Sequence, residues 1–358
     1  LAKRGVNMAR LFTGLFTAKD GAGIMDVNEE AIDVLHRHIA ACKAAGIYVT
    51  ICPYWAHLKV PESWGLEGAA GKMPWGLLFF NPKLQAAYKH WIREAYTREN
   101  PYTGLAIKDD PAVAIIQVHN EDSMFFWTAG NIPEPQMRIL MGLYSDWLKD
   151  KYGSLAAALE AWDGFGAPDD DLAAGVMGWV GSQRGIIWEL IQDRQGPAAK
   201  RLVDQAEFLA RLQHDFYAEM DRFITEELGC RQLTNASNWR TASQERLDDL
   251  DRWTSTPCDV MARNDYTGGV HVGPNNGYRI DPGHYLQSRS VTKNPLALPT
   301  HRKQVIGHPM IVTETAWVHP NLYQTEGPML GAAYLSLSGV DSLYWFDVSE
   351  QSWNTDPR

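Results

Sequence analysis

Residues 112–121 have the sequence AVAIIQVHNE, a mostly apolar run that ends in a polar pair, Asn120 and Glu121. Such a run, rich in β-branched residues, predicts a strand buried on both faces, as in a parallel sheet. A second segment, HPMIVTE at residues 308–314, has the same character and ends in Glu314. Because the carboxyl ends of parallel strands share one edge of the sheet, we expect both carboxylates to lie at that edge.

Further strands and helices alternate around these two segments. Strands are predicted at residues 5–11, 47–52, 231–238, 259–266 and 341–346, and helices at residues 31–45, 82–97, 136–152, 155–162, 202–228 and 327–338. This alternation predicts an α/β fold with a parallel sheet and right-handed crossovers. Seven strands and no closing helix fit a TIM (β/α)8 barrel that lacks its first strand and last helix in this chain, as one catalytic domain over residues 1–358. An open doubly wound sheet is the alternative, but no GxGxxG turn follows any of these strands.

Two long segments, residues 53–110 and 120–200, follow strand ends and would be insertions after barrel strands 3 and 4. Both lie on the face where barrel enzymes build their active sites. Trp55, Trp64 and Trp75 stand among Gly and Pro in the first segment. Indole rings stack on the apolar faces of sugars. This loop is therefore predicted to offer stacking surfaces.

The composition narrows the class of protein. The 358 residues are 45% hydrophobic and 21% charged, an ordinary globular mixture. A net charge of −10 argues against a nucleic-acid partner, which needs clustered Lys and Arg. No window approaches the ~18 uninterrupted apolar residues that a membrane span requires. The four cysteines, at positions 42, 52, 230 and 258, form no CxxC pair and are predicted to be buried thiols.

The two glutamates suggest a specific chemistry. Cleavage of a glycosidic bond with retention needs two carboxyl groups about 5–5.5 Å apart, one that protonates the leaving oxygen and one that attacks the anomeric carbon. We expect Glu121 to be the acid/base, with a pKa raised by burial and by its neighbour, and Glu314 to be the ionised nucleophile. Either residue taken alone could equally be a helix N-terminal residue or a surface ion-pair partner.

With these residues in place, the chain resembles the clan A glycoside hydrolases, whose acid/base follows an Asn on strand 4 and whose nucleophile ends strand 7. The resemblance runs from about Gly5 to Asp347. It implies that Arg10 supports the nucleophile, that Asn120 binds the substrate 2-hydroxyl, that Tyr266 hydrogen-bonds the nucleophile and that Trp345 is the platform under the cleaved sugar. Many members place a His at strand 5, whereas this chain has Asn235, Asn238 and Trp239 there, which leaves the family open. Residues 144–162 (YSDWLKDKYGSLAAALEAW) resemble the helical insertion of family 42 β-galactosidases and of some agarase-like enzymes.

The remaining candidates for sugar contacts are Trp55, His57, His119, Asn238, Trp239 and His271. His119 shares the strand parity of Ile115 and Gln117, so it is expected to point into the barrel. No metal site is predicted, because His36 and His38 face different sides of a helix. The expected activity needs no cofactor.

The expected substrate is an oligo- or polysaccharide, either a β-galactoside of the agar type or a β-glucan or β-mannan. The chain is expected to work outside the cell or in the periplasm. A carbohydrate-binding barrel without catalysis is the alternative. A lyase or isomerase barrel would instead want a Lys base or a carboxylate-ringed Mg²⁺ at the strand ends, and neither is evident in the sequence.

Overall fold

The computed structural model describes residues 1–268, 270–274 and 281–347. Its parallel strands are β1 Met8–Phe12, β2 Tyr48–Cys52, β3 Val113–Gln117, β4 Leu233–Asn235, β5 Met261–Asn264, β6 Met310–Thr315 and β7 Ser342–Trp345. Its α-helices are α1 Glu29–Ala44, α2 Pro82–Thr97, α3 Glu134–Tyr152, α4 Leu155–Ala161, α5 Ser182–Leu190, α6 Gly196–Arg222, α7 Asp248–Thr254 and α8 Glu326–Ser338. Two short antiparallel pairs join Glu99–Asn100 to Leu105–Ala106 and Val270–Val272 to Tyr285–Gln287.

The seven strands form two parallel sheets. One has the order β1-β2-β3-β4 and the other has the order β7-β6-β5. A parallel bridge between Asn235 and Val260 joins β4 to the residue before β5. Within the described ranges no backbone pairing joins β7 to β1, although the Tyr344 and Thr50 hydroxyls hydrogen-bond at 2.7 Å between β7 and β2. The predicted parallel α/β architecture is confirmed, and closure into a complete barrel stays a prediction.

Apolar side chains pack on both faces of the strands, which is why the strand sequences are nearly continuously apolar. One small cluster joins residues of both sheets: Ile115, Val260, Ala262, Ile311 and Tyr344, with Met8 against it. The main core lies between the four-stranded sheet and the helices and includes fully buried Ile51 and Leu84. Each such side chain contributes roughly 1.5–3 kcal/mol to folding.

The first predicted insertion contains a regular helix of the fold. Asn81 caps α2 by accepting the Leu84 N–H at 3.0 Å, and Pro82 occupies the first turn, where its missing N–H costs nothing. The Tyr88 hydroxyl of α2 donates to the Val118 carbonyl at 2.7 Å, directly after β3. The helix predicted at residues 82–97 is thus confirmed as α2, and residues 53–81 before it form the loop after β2.

Several elements were not predicted from the sequence. Helices α5 and α7 are short, and the paired strands Val270–Val272 and Tyr285–Gln287 have three residues each, so none has a clear hydrophobic period. Within the described residues, no α-helix separates β5 from β6. All four cysteines are free and buried, as predicted. No helix in the described ranges combines the length and apolarity needed to cross a membrane.

Candidate active site

A cavity of about 1930 Å³ opens at the carboxyl ends of the strands. Every site residue predicted from the sequence lines it except His119 and Asn238: Arg10, Trp55, His57, Asn120, Glu121, Trp239, Tyr266, His271, Glu314 and Trp345. Strand register sets the level of these side chains, since Glu314 pairs with Asn264 across β6 and β5 and Thr315 pairs with Trp345 across β6 and β7. The two glutamates thus share one cavity.

Glu314 has a charged donor and a hydroxyl donor on its two oxygens. Arg10 donates Nη1 to Oε1 at 2.7 Å, and the Tyr266 hydroxyl donates to Oε2 at 2.6 Å. Burial first, and the nearby Glu314 charge second, raise the pKa of Tyr266, so its hydroxyl keeps the proton that it donates. Hydrogen bonds from a guanidinium and a phenol favour the ionised carboxylate.

Arg10 is held by three acceptors. Besides Glu314, its Nε donates to Gln117 Oε1 at 2.8 Å and its Nη2 donates to Asn120 Oδ1 at 2.7 Å. The Gln117 amide is itself fixed, because its Nε2 donates to the His119 carbonyl at 2.8 Å. A planar guanidinium with all its edges bonded has one orientation only. Arg10 therefore fixes Glu314 relative to Asn120.

Asn120 presents its amide nitrogen to the cavity. Its Oδ1 accepts both Arg10 Nη2 and, at 3.0 Å, Asn238 Nδ2. Two donors on one oxygen determine which end of the amide is which. The Asn120 Nδ2 has no acceptor in the described part of the chain, so it is available as a donor to a ligand.

Glu121 stands on a strained turn directly after Asn120. Its backbone lies in the left-handed region, with φ 44, which costs a non-glycine residue about 1–3 kcal/mol. Asn238 stabilises this turn, because its Oδ1 accepts the Glu121 N–H at 2.9 Å. Burial first, and repulsion from Glu314 second, raise the pKa of Glu121 to about 7, against a hydrogen bond from Asn264 and the charges of Arg10 and Arg240. Close to neutral pH, Glu121 is therefore protonated in much of the population.

Asn264 favours one oxygen of Glu121 as the site of the proton. The Thr313 hydroxyl donates to Asn264 Oδ1 at 2.7 Å, so the other end of this amide is a donor. That end, Nδ2, donates to Glu121 Oε1 at 2.8 Å. The carbonyl oxygen of a neutral carboxyl group is the better acceptor, so this bond favours the proton on Oε2.

His119 and Asn238 lie outside the cavity lining. His119 is 1% exposed, bonds the Tyr217 hydroxyl at 2.9 Å and packs against Phe79. The expectation that it points into the barrel is wrong, because its ring packs against Phe79 and Tyr217 and not against the residues that line the cavity. Asn238 is fully buried and holds Asn120 and Glu121, so it positions these residues instead of contacting a ligand.

Aromatic rings form the walls of the cavity. Trp55 stacks on His57 with centroids 4.5 Å apart, and Trp239 meets Phe126 edge-on at 5.1 Å. Trp345, which is 38% exposed, lies 5.9 Å from Trp317. Faces of this kind suit the apolar side of a pyranose.

A close approach by helix α8 holds the Trp345 ring. A Cβ at Gly327 would lie 2.7 Å from the Trp317 ring and 3.0 Å from the Trp345 ring. Only glycine allows the helix backbone to come this near the two rings.

His271 lies at the cavity on the hairpin strand Val270–Val272, and its Nε2 is 3.0 Å from His284 Nδ1. His271 therefore contacts the cavity, and His284 is its hydrogen-bond partner.

Sequence reasoning missed three polar residues that organise the site: Gln117, Asn264 and Asp122. Gln117 lies two residues before His119, and Asn264 lies two residues before Tyr266. Alternation along a strand was therefore the signal that could have identified both. Asp122 is buried, and its Oδ2 accepts the Gly76 N–H at 2.8 Å, which ties the loop after β2 to the turn at Glu121. Burial raises the pKa of Asp122 to about 7. No sequence pattern signalled this long-range contact.

The chemistry of the cavity therefore depends on two carboxyl groups in different surroundings, those of Glu121 and Glu314. Among the described residues, no group of three or more His, Cys, Asp or Glu is arranged to hold a metal ion.

Comparison with known proteins gave no match to any family model and none to the curated protein sequences. Among solved structures, the chain is similar to an exo-β-agarase (TM-score 0.48, 13% identity, 86% of this chain and 38% of that one). It is also similar to a second agarase (TM-score 0.49, 13% identity, 88% of this chain and 43% of that one). A third similar structure is an endo-β-1,4-mannanase from Thermotoga petrophila (TM-score 0.41, 11% identity, 99% of this chain and 64% of that one). The chain thus spans less than half the length of these two agarases. With TM-scores below 0.5, the function is inferred from the chemistry of the site alone.

Proposed function

We propose that this chain is a retaining glycoside hydrolase for β-linked oligo- or polysaccharides, on a closed (β/α)8-type barrel, with Glu314 as nucleophile and Glu121 as acid/base. The observation that carries the proposal is the contrast between the two carboxyl groups. Arg10 and Tyr266 bond the one, while burial raises the pKa of the other to about 7. A carboxyl group with a raised pKa suits the acid, and a carboxylate fixed by a guanidinium and a phenol suits the nucleophile.

In the first step, a Glu314 oxygen attacks the anomeric carbon while Glu121 Oε2 delivers its proton to the glycosidic oxygen. The carbon–oxygen bond to the leaving sugar breaks, and a glycosyl ester on Glu314 forms. In the second step, ionised Glu121 takes a proton from water, whose oxygen attacks the same carbon and releases Glu314. Asn120 Nδ2 donates to the 2-hydroxyl, and Trp345 lies under the ring. A polymeric β-linked substrate would place the enzyme outside the cell or in the periplasm.

Trapping of the glycosyl-enzyme tests this proposal. A panel of aryl β-glycosides first identifies the sugar that is cleaved, with β-galactosides, β-glucosides and β-mannosides as members. The matching 2-deoxy-2-fluoro glycoside with a dinitrophenyl leaving group is then expected to add one glycosyl mass to the peptide that contains Glu314.

The control is Glu314→Gln, which is expected to gain no mass. A first-formed product of inverted configuration, seen by NMR, would instead assign an inverting enzyme. Binding of the glycosides without any cleavage would favour the non-catalytic sugar-binding barrel.

A further inference from the structure

The cavity is more basic than the chain as a whole. The chain carries a net charge of −10, with 43 acidic and 33 basic residues. Among the described residues that line the cavity, by contrast, arginines and lysines outnumber acidic side chains. The basic ones are Arg10, Arg240, Arg252, Arg263, Arg302 and Lys303, and the acidic ones are Glu121, Asp248, Asp265, Glu314 and Asp347.

All but one of these cations have a carboxylate partner. The pairs are Arg10–Glu314 at 2.7 Å, Arg252–Asp248 at 2.9 Å, Arg263–Asp251 at 2.6 Å, Arg302–Asp265 at 2.6 Å and Lys303–Asp249 at 2.7 Å. Arg240 is the exception, because its side chain forms no ion pair or hydrogen bond with any residue that the structure describes. The charge of Arg240 reaches Glu121 and Asp265, but neither carboxyl group bonds its N–H donors. A cation at the wall of a cavity whose donors have no carboxylate partner is a site for an anion.

Two aromatic rings hold the Arg240 guanidinium in place. It lies 5.4 Å from the centroid of Trp239 and 5.8 Å from that of Phe126, and these rings meet edge-on. Neither contact is a hydrogen bond, so the N–H donors of the guanidinium remain for another partner. Arg240 is exposed, so those donors are accessible from the cavity.

Arg240 lies on the acid/base side of the cavity. It is two residues beyond Asn238, whose side chain bonds the Glu121 backbone N–H. Its charge is also among the influences that lower the pKa of Glu121. On the proposed mechanism Glu121 protonates the oxygen of the departing sugar, so Arg240 faces the leaving-group side of the scissile bond.

We propose that Arg240 binds an anionic substituent, a carboxylate or a sulfate ester, on the sugar that leaves. The position of this substituent on the leaving sugar rests on the proposed function, whereas the anion site itself rests on the unpaired guanidinium. Both groups offer two oxygens to the guanidinium edge, and hydrogen bonds between charged partners are stronger than neutral ones. The natural substrate would then be an acidic β-linked polysaccharide.

Leaving groups that differ in charge provide the first test. Umbelliferyl β-glycosides of the sugar that the panel identifies are compared with a 4-methyl or a 3-carboxy substituent on the leaving group. The ratio of kcat/KM for the carboxylated substrate over the methylated one is expected to fall about 10- to 100-fold in Arg240→Gln. In the unaltered chain this ratio is expected to fall as salt rises.

The matched control is Arg246→Gln, an exposed arginine six residues further on that does not line the cavity. It is expected to leave the ratio unchanged. Equal effects of Arg240→Gln on both substrates would overturn the proposal, because the arginine would then only shape the wall.

A binding measurement separates this proposal from the proposed function. Calorimetry on the Glu314→Gln variant with galacturonate, galactose 6-sulfate and neutral galactose needs no turnover, and the first two probes distinguish a carboxylate site from a sulfate site. We expect one charged probe or both to bind more tightly than galactose, and Arg240→Gln in the same background to abolish the difference. If no glycoside is cleaved yet this difference is found, the hydrolase proposal falls and the anion site stands. If neither charged probe binds better than galactose, the anion site is refuted.

Discussion

The two sides of the cavity carry the same side chain in opposite surroundings. On β6, Glu314 receives a guanidinium and a phenol, both within 2.7 Å. After β3, Glu121 receives one neutral amide at 2.8 Å, and burial first and the charge of Glu314 second raise its pKa to about 7. The surroundings of a carboxyl group decide whether it suits a proton donor or a nucleophile. The neighbours of each glutamate, and not its residue type, therefore distinguish the two sides.

Removal of the proposed nucleophile, Glu314, should have the largest effect. Glu314→Gln is expected to lower kcat on an aryl β-glycoside on the order of 10⁵-fold, because no covalent intermediate can form. The kcat of Glu121→Gln on the same substrate should fall far less, since an acidic phenol leaves without a proton. Exposed Glu160→Gln is the control and should match the unaltered chain. A larger loss for Glu121→Gln with a dinitrophenyl leaving group would contradict the comparison.

Weakening the support of Glu314 should have the next largest effect. Arg10→Lys keeps the charge but cannot reach Gln117, Asn120 and Glu314 together. We expect kcat/KM to fall about 100-fold, which corresponds to the loss of one to two hydrogen bonds to charged groups at about 1.5–3 kcal/mol each. Arg4→Lys, at an exposed position in the preceding turn, is the control. If Arg10→Lys kept activity within twofold of the unaltered chain, the three hydrogen bonds of Arg10 would be dispensable.

The protonated side can be tested through pH. Since Glu121 must carry a proton and its pKa is raised to about 7, kcat/KM should fall as the pH rises through about 7. Asn264 holds this pKa down through its hydrogen bond, so Asn264→Ala should move the alkaline limb of the pH profile to higher pH. A limb that stays in place in this variant would mean that another group controls it.

The smallest effect is expected at the aromatic wall. Gly327→Ala would force a Cβ to 2.7 Å from the Trp317 ring and displace Trp345, and we expect kcat/KM to fall about 5- to 10-fold, in line with about 1–3 kcal/mol for overpacking. Gly331→Ala on the same helix meets its nearest atom at 3.8 Å and serves as the control. Equal kinetics for the two variants would show that the position of Trp345 does not affect sugar binding.

Sequence periodicity predicted the seven parallel strands and most helices, because burial on both faces gives most of the strands an apolar run. The predicted strand ends differ by up to three residues, as at β4, where residues 231–238 were expected and Leu233–Asn235 are paired. Helix α6 begins at Gly196, six residues before its predicted start at residue 202. Glu121 and Glu314 were recognisable because each stands where such a run ends. Helix α7 is too short for a periodic signal.

The contacts that organise the two glutamates were less accessible. Asn264 lies on the same strand parity as Tyr266, but its bond to Glu121 spans 143 positions, and no local pattern encodes such a pairing. His119 was misplaced because strand alternation cannot reveal that its ring packs against Phe79 and Tyr217. Local rules thus predicted which strand end carries each carboxyl group, and tertiary packing determined its partners.

The most direct test of the division of labour is azide rescue of the two alanine variants, with the anomeric configuration of the product determined by NMR. In Glu121→Ala, azide should attack the α-linked glycosyl-enzyme on Glu314 and give the β-glycosyl azide, because azide needs no general base. In Glu314→Ala, azide should occupy the space of the missing carboxylate, attack an activated β-glycoside directly and give the α-glycosyl azide. The opposite pairing of variants and products would exchange the two roles and contradict the account.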